Sequence, residues 1–133
     1  MTWFYNGEEI TSPPEGAYGF VYQITNLLTG QKYIGKKFFT KPKTRQVKGK
    51  KKRFTVESDW KEYWGSNKRL IEDIETHGQE HFRREIIYIT YSRGMTNYME
   101  AKYQFQLGVL ESDDYYNGII QIKIGSNSVK GKI

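Results

Sequence analysis

The chain is expected to form an α/β domain, a small three-stranded antiparallel sheet flanked by helices, with a basic insert after its first hairpin. Three observations predict this. Aromatic and β-branched residues concentrate in segments 18–26, 31–35 and 85–90, which suits strands. Apolar residues recur at helical spacing after Ser66-Asn67 and again after Thr96. Between the first two strands and the first helix, residues 36–53 hold ten Lys and Arg and no acid. A length of 133 residues allows one domain, with a core over about 17–124, the insert at 36–53 and a polar, mobile tail at 125–133.

Taken in order, residues 1–16 read as irregular and end in the turn-rich Thr11-Ser12-Pro13-Pro14-Glu15-Gly16. Segments 18–26 and 31–35 flank a turn with Gly30 at its tight point, which makes an antiparallel hairpin. The insert has no amphipathic period and contains Pro42 and Gly49, so it reads as a loop or a basic β-ribbon. Ser58 or Asp59 is placed to cap a helical turn carrying Trp60, Tyr63 and Trp64. Ser66-Asn67 caps the next helix, which has Leu70, Ile71, Ile74 and His77 on one face and Gly78 as its stop. Residues 85–90, Glu-Ile-Ile-Tyr-Ile-Thr, are almost continuously apolar, as in a strand covered on both faces. Thr96 caps the second helix, which carries Met99, Glu100 and Tyr103. Residues 119–124 read as a short final strand.

Composition narrows the chemistry. There is no cysteine, so disulfides, thiolate nucleophiles and cysteine-held zinc are excluded. Two histidines, His77 and His81, are too few for a multi-histidine metal site. No apolar run reaches the roughly 18–20 residues of a membrane span, and the first residues lack the pattern of a secretory signal; the expectation is a cytoplasmic protein with no membrane partner. The net charge of +6 divides unevenly. Outside the insert the chain has 11 cations and 15 acids, so a mildly acidic body carries one intensely basic segment. That segment points to a polyanion.

Gly19-Phe20-Val21-Tyr22, followed by Tyr33-Ile34-Gly35, resembles the paired signature of the GIY-YIG nuclease family. The first element carries one residue more between Gly and Tyr than the family name implies. His77-Gly78 with Phe82 is similar to the family's middle helix and entry to the third strand. Glu100 matches its metal-binding glutamate, and Tyr115-Tyr116-Asn117 its Tyr-Asn. The likeness spans about residues 18–118, and it is similar to that of compact nucleases of phage and mobile elements, homing endonucleases among them.

The resemblance implies a metal-dependent endonuclease. Glu100 would hold Mg²⁺ or Mn²⁺, as a single carboxylate can when water and phosphate supply the other ligands. Tyr22 would take a proton from the attacking water. A free tyrosine has a pKa of about 10 and needs nearby cations to do so. Tyr33 would position water or phosphate. One strand would be cut per site, leaving a 5′ phosphate and a 3′ hydroxyl; a double-strand cut would require a homodimer or successive nicks.

One departure stands out. The family arginine has no counterpart: Trp60-Lys61-Glu62-Tyr63 puts Tyr63 in the His/Tyr slot, but Asp59 near the arginine slot. An acid cannot replace a guanidinium fork. Lys36, Lys37, Arg45 and Arg53 are the substitutes at hand, and Lys37 and Arg53 are preferred. Lys36, Lys41, Lys43, Arg45, Lys48, Lys50, Lys51 and Lys52 of the insert, with Asn117, are expected to bind DNA. The missing arginine keeps a second reading open, a catalytically impaired nucleic-acid-binding module on the same fold. A membrane or other polyanion binder ranks last, because no amphipathic helix accompanies the charges.

Overall fold

The computed structural model describes residues 2–132. The hairpin of aromatic and β-branched residues forms as expected. β3 (Gly19–Asn26) pairs antiparallel with β4 (Lys32–Phe38), and β7 (Phe82–Thr90) pairs antiparallel along the other side of β3. β4 runs three residues past the expected end, so Lys36 and Lys37 are strand residues, not part of a loop.

The sheet has five strands rather than three, in the order β2-β1-β7-β3-β4. The two additional strands come from the N-terminal segment that read as irregular. β1 (Trp3–Tyr5) and β2 (Glu8–Ile10) form a hairpin, and β1 lies parallel to β7. The hairpin turn is Asn6-Gly7, with φ 53° and 80°, a dipeptide whose tolerance of positive φ favours this tight reversal. No strand forms over residues 119–124. The tail folds a 3-10 turn at Ser126–Ser128 and packs Val129 against the domain.

The insert is a two-stranded antiparallel ribbon, β5 (Thr40–Val47) and β6 (Lys50–Glu57). It closes on Lys48-Gly49, again at positive φ (50° and 77°). Its base is seated by Phe39, fully buried, whose ring lies 4.8 Å from Phe20 and 5.0 Å from Trp60. The expected helical turn after it is a single 3-10 turn, Trp60–Glu62. Asp59 donates no side-chain cap; the Ser58 hydroxyl accepts from the Trp60 N–H at 3.2 Å.

α1 (Lys68–His77) starts on Asn67, whose side chain accepts from the Leu70 N–H at 3.0 Å, and stops at Gly78. α2 (Arg93–Gln106) starts on Ser92, which accepts from the Met95 N–H. It begins one turn earlier than Thr96 suggested, because the Thr96 hydroxyl is buried against Thr90 at 2.6 Å and back-bonds to the Ser92 carbonyl.

The sheet separates two apolar clusters. Phe20, Tyr22 and Ile24 face Trp3, Phe39, Trp60, Leu70 and Ile74. Val21 and Ile34 face Met95 and Met99 of α2. A bulge between Val21 and Tyr22 shifts the β3–β7 register beside the signature tyrosine, where such irregularities re-aim side chains.

Candidate active site at the open edge of the sheet

β4 is the edge strand, and its outward backbone groups are covered one rung at a time. Lys32 N–H donates to the Asp114 carbonyl at 2.8 Å, and the Tyr116 N–H donates back to the Lys32 carbonyl at 2.7 Å. At the next rung Asn117 clamps Ile34: its Oδ1 accepts from the Ile34 N–H at 3.0 Å and its Nδ2 donates to the Ile34 carbonyl at 2.8 Å. Gln104 donates to the same carbonyl. At the third rung, Lys36, the Glu100 carboxylate comes alongside, its Oε1 3.7 Å from the Lys36 Nζ. Segment 114–117 thus behaves as a partial strand that stops at Gly35, and α2 lays its glutamate across the edge it leaves open.

On the other face, Tyr22 stands opposite Gly35. A Cβ at Gly35 would lie 2.6 Å from the Tyr22 Cζ and 2.9 Å from Tyr33 Cε2. The glycine therefore lets the Tyr22 phenol cross the neighbouring strand. Gly65, at φ 89°, clears the opposite side: its Cβ would meet the Tyr22 hydroxyl at 3.3 Å and Tyr33 at 3.5 Å. The Tyr22 ring lies 6.1 Å from both Tyr33 and Tyr63. Tyr63 bears on the Tyr22 phenol and Ser66 on the Tyr33 phenol.

The electrostatics link the two halves. Burial holds the Tyr22 phenol well above its ordinary value, and Tyr63, Tyr33 and the Glu100 carboxylate add to this. Burial also raises Tyr33; Ser66 opposes this, and Glu100 pushes up further. Glu100 itself is raised, since burial outweighs the opposing effect of Lys36. The Lys36 Nζ is 3.7 Å from Glu100 Oε1 and donates to Asn97 Oδ1 at 2.6 Å. Lys37, one residue on and on the tyrosine face, lies 4.1 Å over the Tyr63 ring and 2.6 Å from Asp59. That ion pair draws the Asp59 carboxyl below its usual range.

Tyr22, Tyr33, Tyr63, Lys37, Lys36 and Glu100 are therefore brought to one stretch of edge. Asn117, expected at DNA, is instead buried, with its amide spent on Ile34. Arg53 lies on the ribbon opposite Thr44 and lines a separate cavity with Tyr18 and Arg93. Lys41, Lys43, Arg45, Lys48, Lys50, Lys51 and Lys52 are exposed along the ribbon. Cross-strand partners share a face, so one face carries Lys41, Lys43, Arg45, Lys50 and Lys52 among Val47, Phe54 and Val56. The opposite face has only Lys51 and Arg53 as cations. Arg45 stacks over Phe54 at 5.3 Å, as that shared face requires.

Sequence reasoning missed Arg84. It is 1% exposed on β7, between the rings of Trp3 at 4.7 Å and Trp64 at 4.2 Å. Its Nη1 donates to the Lys61 and Tyr63 carbonyls at 2.9 and 2.8 Å. Burial lowers its pKa to about 10, with Glu62 opposing the shift. It fixes the backbone that presents Tyr63. The signal that could have found it is strand alternation, which puts Arg84 on the same face as Phe82 and Ile86.

Glu100 is the residue at this edge that would hold a divalent cation. Glu100 is a largely buried carboxylate that its lysine does not fully compensate. Among the described residues no three His, Cys, Asp or Glu cluster, so the protein offers one carboxylate, as Mg²⁺ accepts when water and phosphate complete its shell.

A tyrosine pair on the two strands of one hairpin, with a helix glutamate at the edge strand, is the arrangement that the resemblance to a nuclease domain implies. The chain matches the family model described as "Putative endonuclease segE, GIY-YIG domain" over residues 3–120, and it belongs to the GIY-YIG endonuclease family. Neither a curated protein nor a solved structure matches it. No helix among the described residues is long and apolar enough to cross a membrane.

Proposed function

We propose that the protein is a metal-dependent endonuclease that hydrolyses DNA phosphodiester bonds and nicks one strand per site. The observation that carries this is the convergence of Tyr22, Tyr33 and Glu100 on the edge around Gly35. Mg²⁺ or Mn²⁺ held by Glu100 supplies charge neutralisation at the phosphate oxygens and a more acidic water.

The remaining steps belong to the chain. Water attacks phosphorus, the bond to the 3′ oxygen breaks, and that oxygen takes a proton, leaving a 5′ phosphate and a 3′ hydroxyl. Tyr22 accepts the water's proton. With every resolved influence raising its pKa, it does so only when added positive charge offsets burial; otherwise it serves as a neutral hydrogen-bond donor. Tyr33, more accessible than Tyr22, orients water or phosphate. Lys37, held against Tyr63, brings positive charge in place of the family arginine but without its planar fork. The ribbon binds the duplex through its cationic face. A homodimer would place a second site for cutting both strands.

A second reading, a nucleic-acid-binding module without catalysis, is favoured by one observation: the cations held against these groups by Glu100 and Tyr63 are lysines. Supercoiled plasmid, incubated with Mg²⁺ or Mn²⁺ or with EDTA, separates the two. The enzyme reading expects metal-dependent nicking that Glu100→Ala abolishes and Tyr22→Phe slows by about 10²–10⁴-fold. Binding without nicking in every metal leaves the second reading.

A further inference from the structure

A cavity of about 360 Å³ opens where the ribbon leaves the body. Arg53, Thr55, Thr40 and Lys41 line it from the ribbon, and Tyr18 and Arg93 from the body. Three cations and three hydroxyls converge there with no acid among the lining residues. Two acids close by in sequence are engaged elsewhere. Glu57, the cross-strand partner of Thr40, accepts from the Trp60 indole at 2.9 Å and pairs with Lys61 at 3.6 Å. Asp59 pairs with Lys37.

Arg93 is also held in place. Phe38 lies between Tyr18, ring to ring at 5.3 Å, and the Arg93 guanidinium at 5.0 Å. Arg93 is the first residue of α2, so its charge adds to the positive helix end. Uncompensated cations brought together at a concave surface lined with hydroxyls suit a phosphate oxyanion.

The cavity neighbours the C-terminal end of β4. A smaller one beside it is lined by Lys36, Lys37, Thr40 and Lys41, so Thr40 and Lys41 border both. At most about 13 Å of extended chain separates Lys37 from Lys41. Measured along the DNA helix axis that is at most about four base steps at ~3.4 Å each.

We propose that this cavity is a phosphate subsite of the nucleic-acid path, taking a backbone phosphate a few nucleotides from the one held at Glu100. The proposal rests on the DNA-binding part of the function above. It makes Arg93 and Tyr18 contacts that fix register, and it gives Arg53 a positioning role here rather than at the scissile phosphate.

The test is binding of a fluorescent 20-base-pair duplex in EDTA over a salt series, for the full chain and for Arg93→Gln and Arg53→Gln, with thermal melting confirming that each variant folds. Each substitution is expected to weaken binding about five- to tenfold near physiological salt and to reduce the log–log salt slope by about one. Inorganic phosphate, followed by NMR, should shift the Arg93 and Arg53 side-chain signals together. Unchanged slopes in both variants overturn the subsite, and phosphate shifts beside unchanged slopes reassign the cavity to a small free phosphate. The function above can fail separately: no nicking with any metal, beside reduced slopes, removes catalysis and leaves the subsite standing.

Discussion

At Gly35 any Cβ would sit 2.6 Å from the Tyr22 ring carbon that bears the hydroxyl, and this ring is 1% exposed with nowhere to retreat. Gly35→Ala is therefore expected to displace both tyrosines, cost about 1–3 kcal/mol in stability by overpacking, and remove nicking. Thermal melting and plasmid assays read the two effects. Glu100 makes a pH prediction. Burial raises its pKa, so the folded chain holds the proton to higher pH than the unfolded chain does. Stability from this group is thus fully present below the ordinary carboxylate value and is lost as pH rises through the raised one. Metal binding has the opposite sign, since it requires the carboxylate. The acidic limb of the nicking rate should lie above the ordinary carboxylate range, and Lys36→Met should move it higher, because Lys36 holds the pKa down. A limb at the ordinary value, unmoved by Lys36→Met, would contradict this assignment.

At the scale of elements, the ribbon has one face with five cations and another with two. A major groove admits a two-stranded ribbon, and phosphate contacts release counterions. Replacing Lys43, Arg45 and Lys52 together with Gln should lower the salt slope of duplex binding by about two to three. Neutralising Lys51, on the opposite face, should change it little. The ribbon's charge could be read directly from the sequence, whereas its hairpin stood there only as an alternative to a loop. The turn is Lys48-Gly49, with a lysine at φ 50°, and lysine gives no local signal for that conformation. The first hairpin had the opposite fate. Asn6-Gly7 is the strongest short signal for a tight turn, yet three-residue strands beside a Pro-rich lead-in hide the pattern around it.

For the whole molecule, the N-terminal hairpin is part of the core. Trp3 is 1% exposed, donates its indole N–H to the Trp60 carbonyl at 2.7 Å and packs edge-on against Phe20 and Tyr22. Trp3→Ala should cost about 3–5 kcal/mol, measured by denaturant unfolding, and should slow nicking although Trp3 is not itself in the site. Arg84 ties the same region together, with Trp3 on one side, Trp64 on the other and the Tyr63 carbonyl at its tip.

Local order along the chain determined much of this protein. The tyrosine spacing placed Tyr22 and Tyr33 on adjacent strands, because hairpin register follows from turn length and side-chain alternation. Asn67 and Gly78 marked α1, because caps answer to the helix end beside them. Charge counting isolated the insert. Tertiary structure alone decided the rest, because it depends on which distant backbones meet. Asn117 turned inward because an edge strand needed its Ile34 groups satisfied, and Glu100 reached the tyrosines because that covering stops at Gly35. Arg84 is buried because Trp3 arrives from the far end of the chain to cover it.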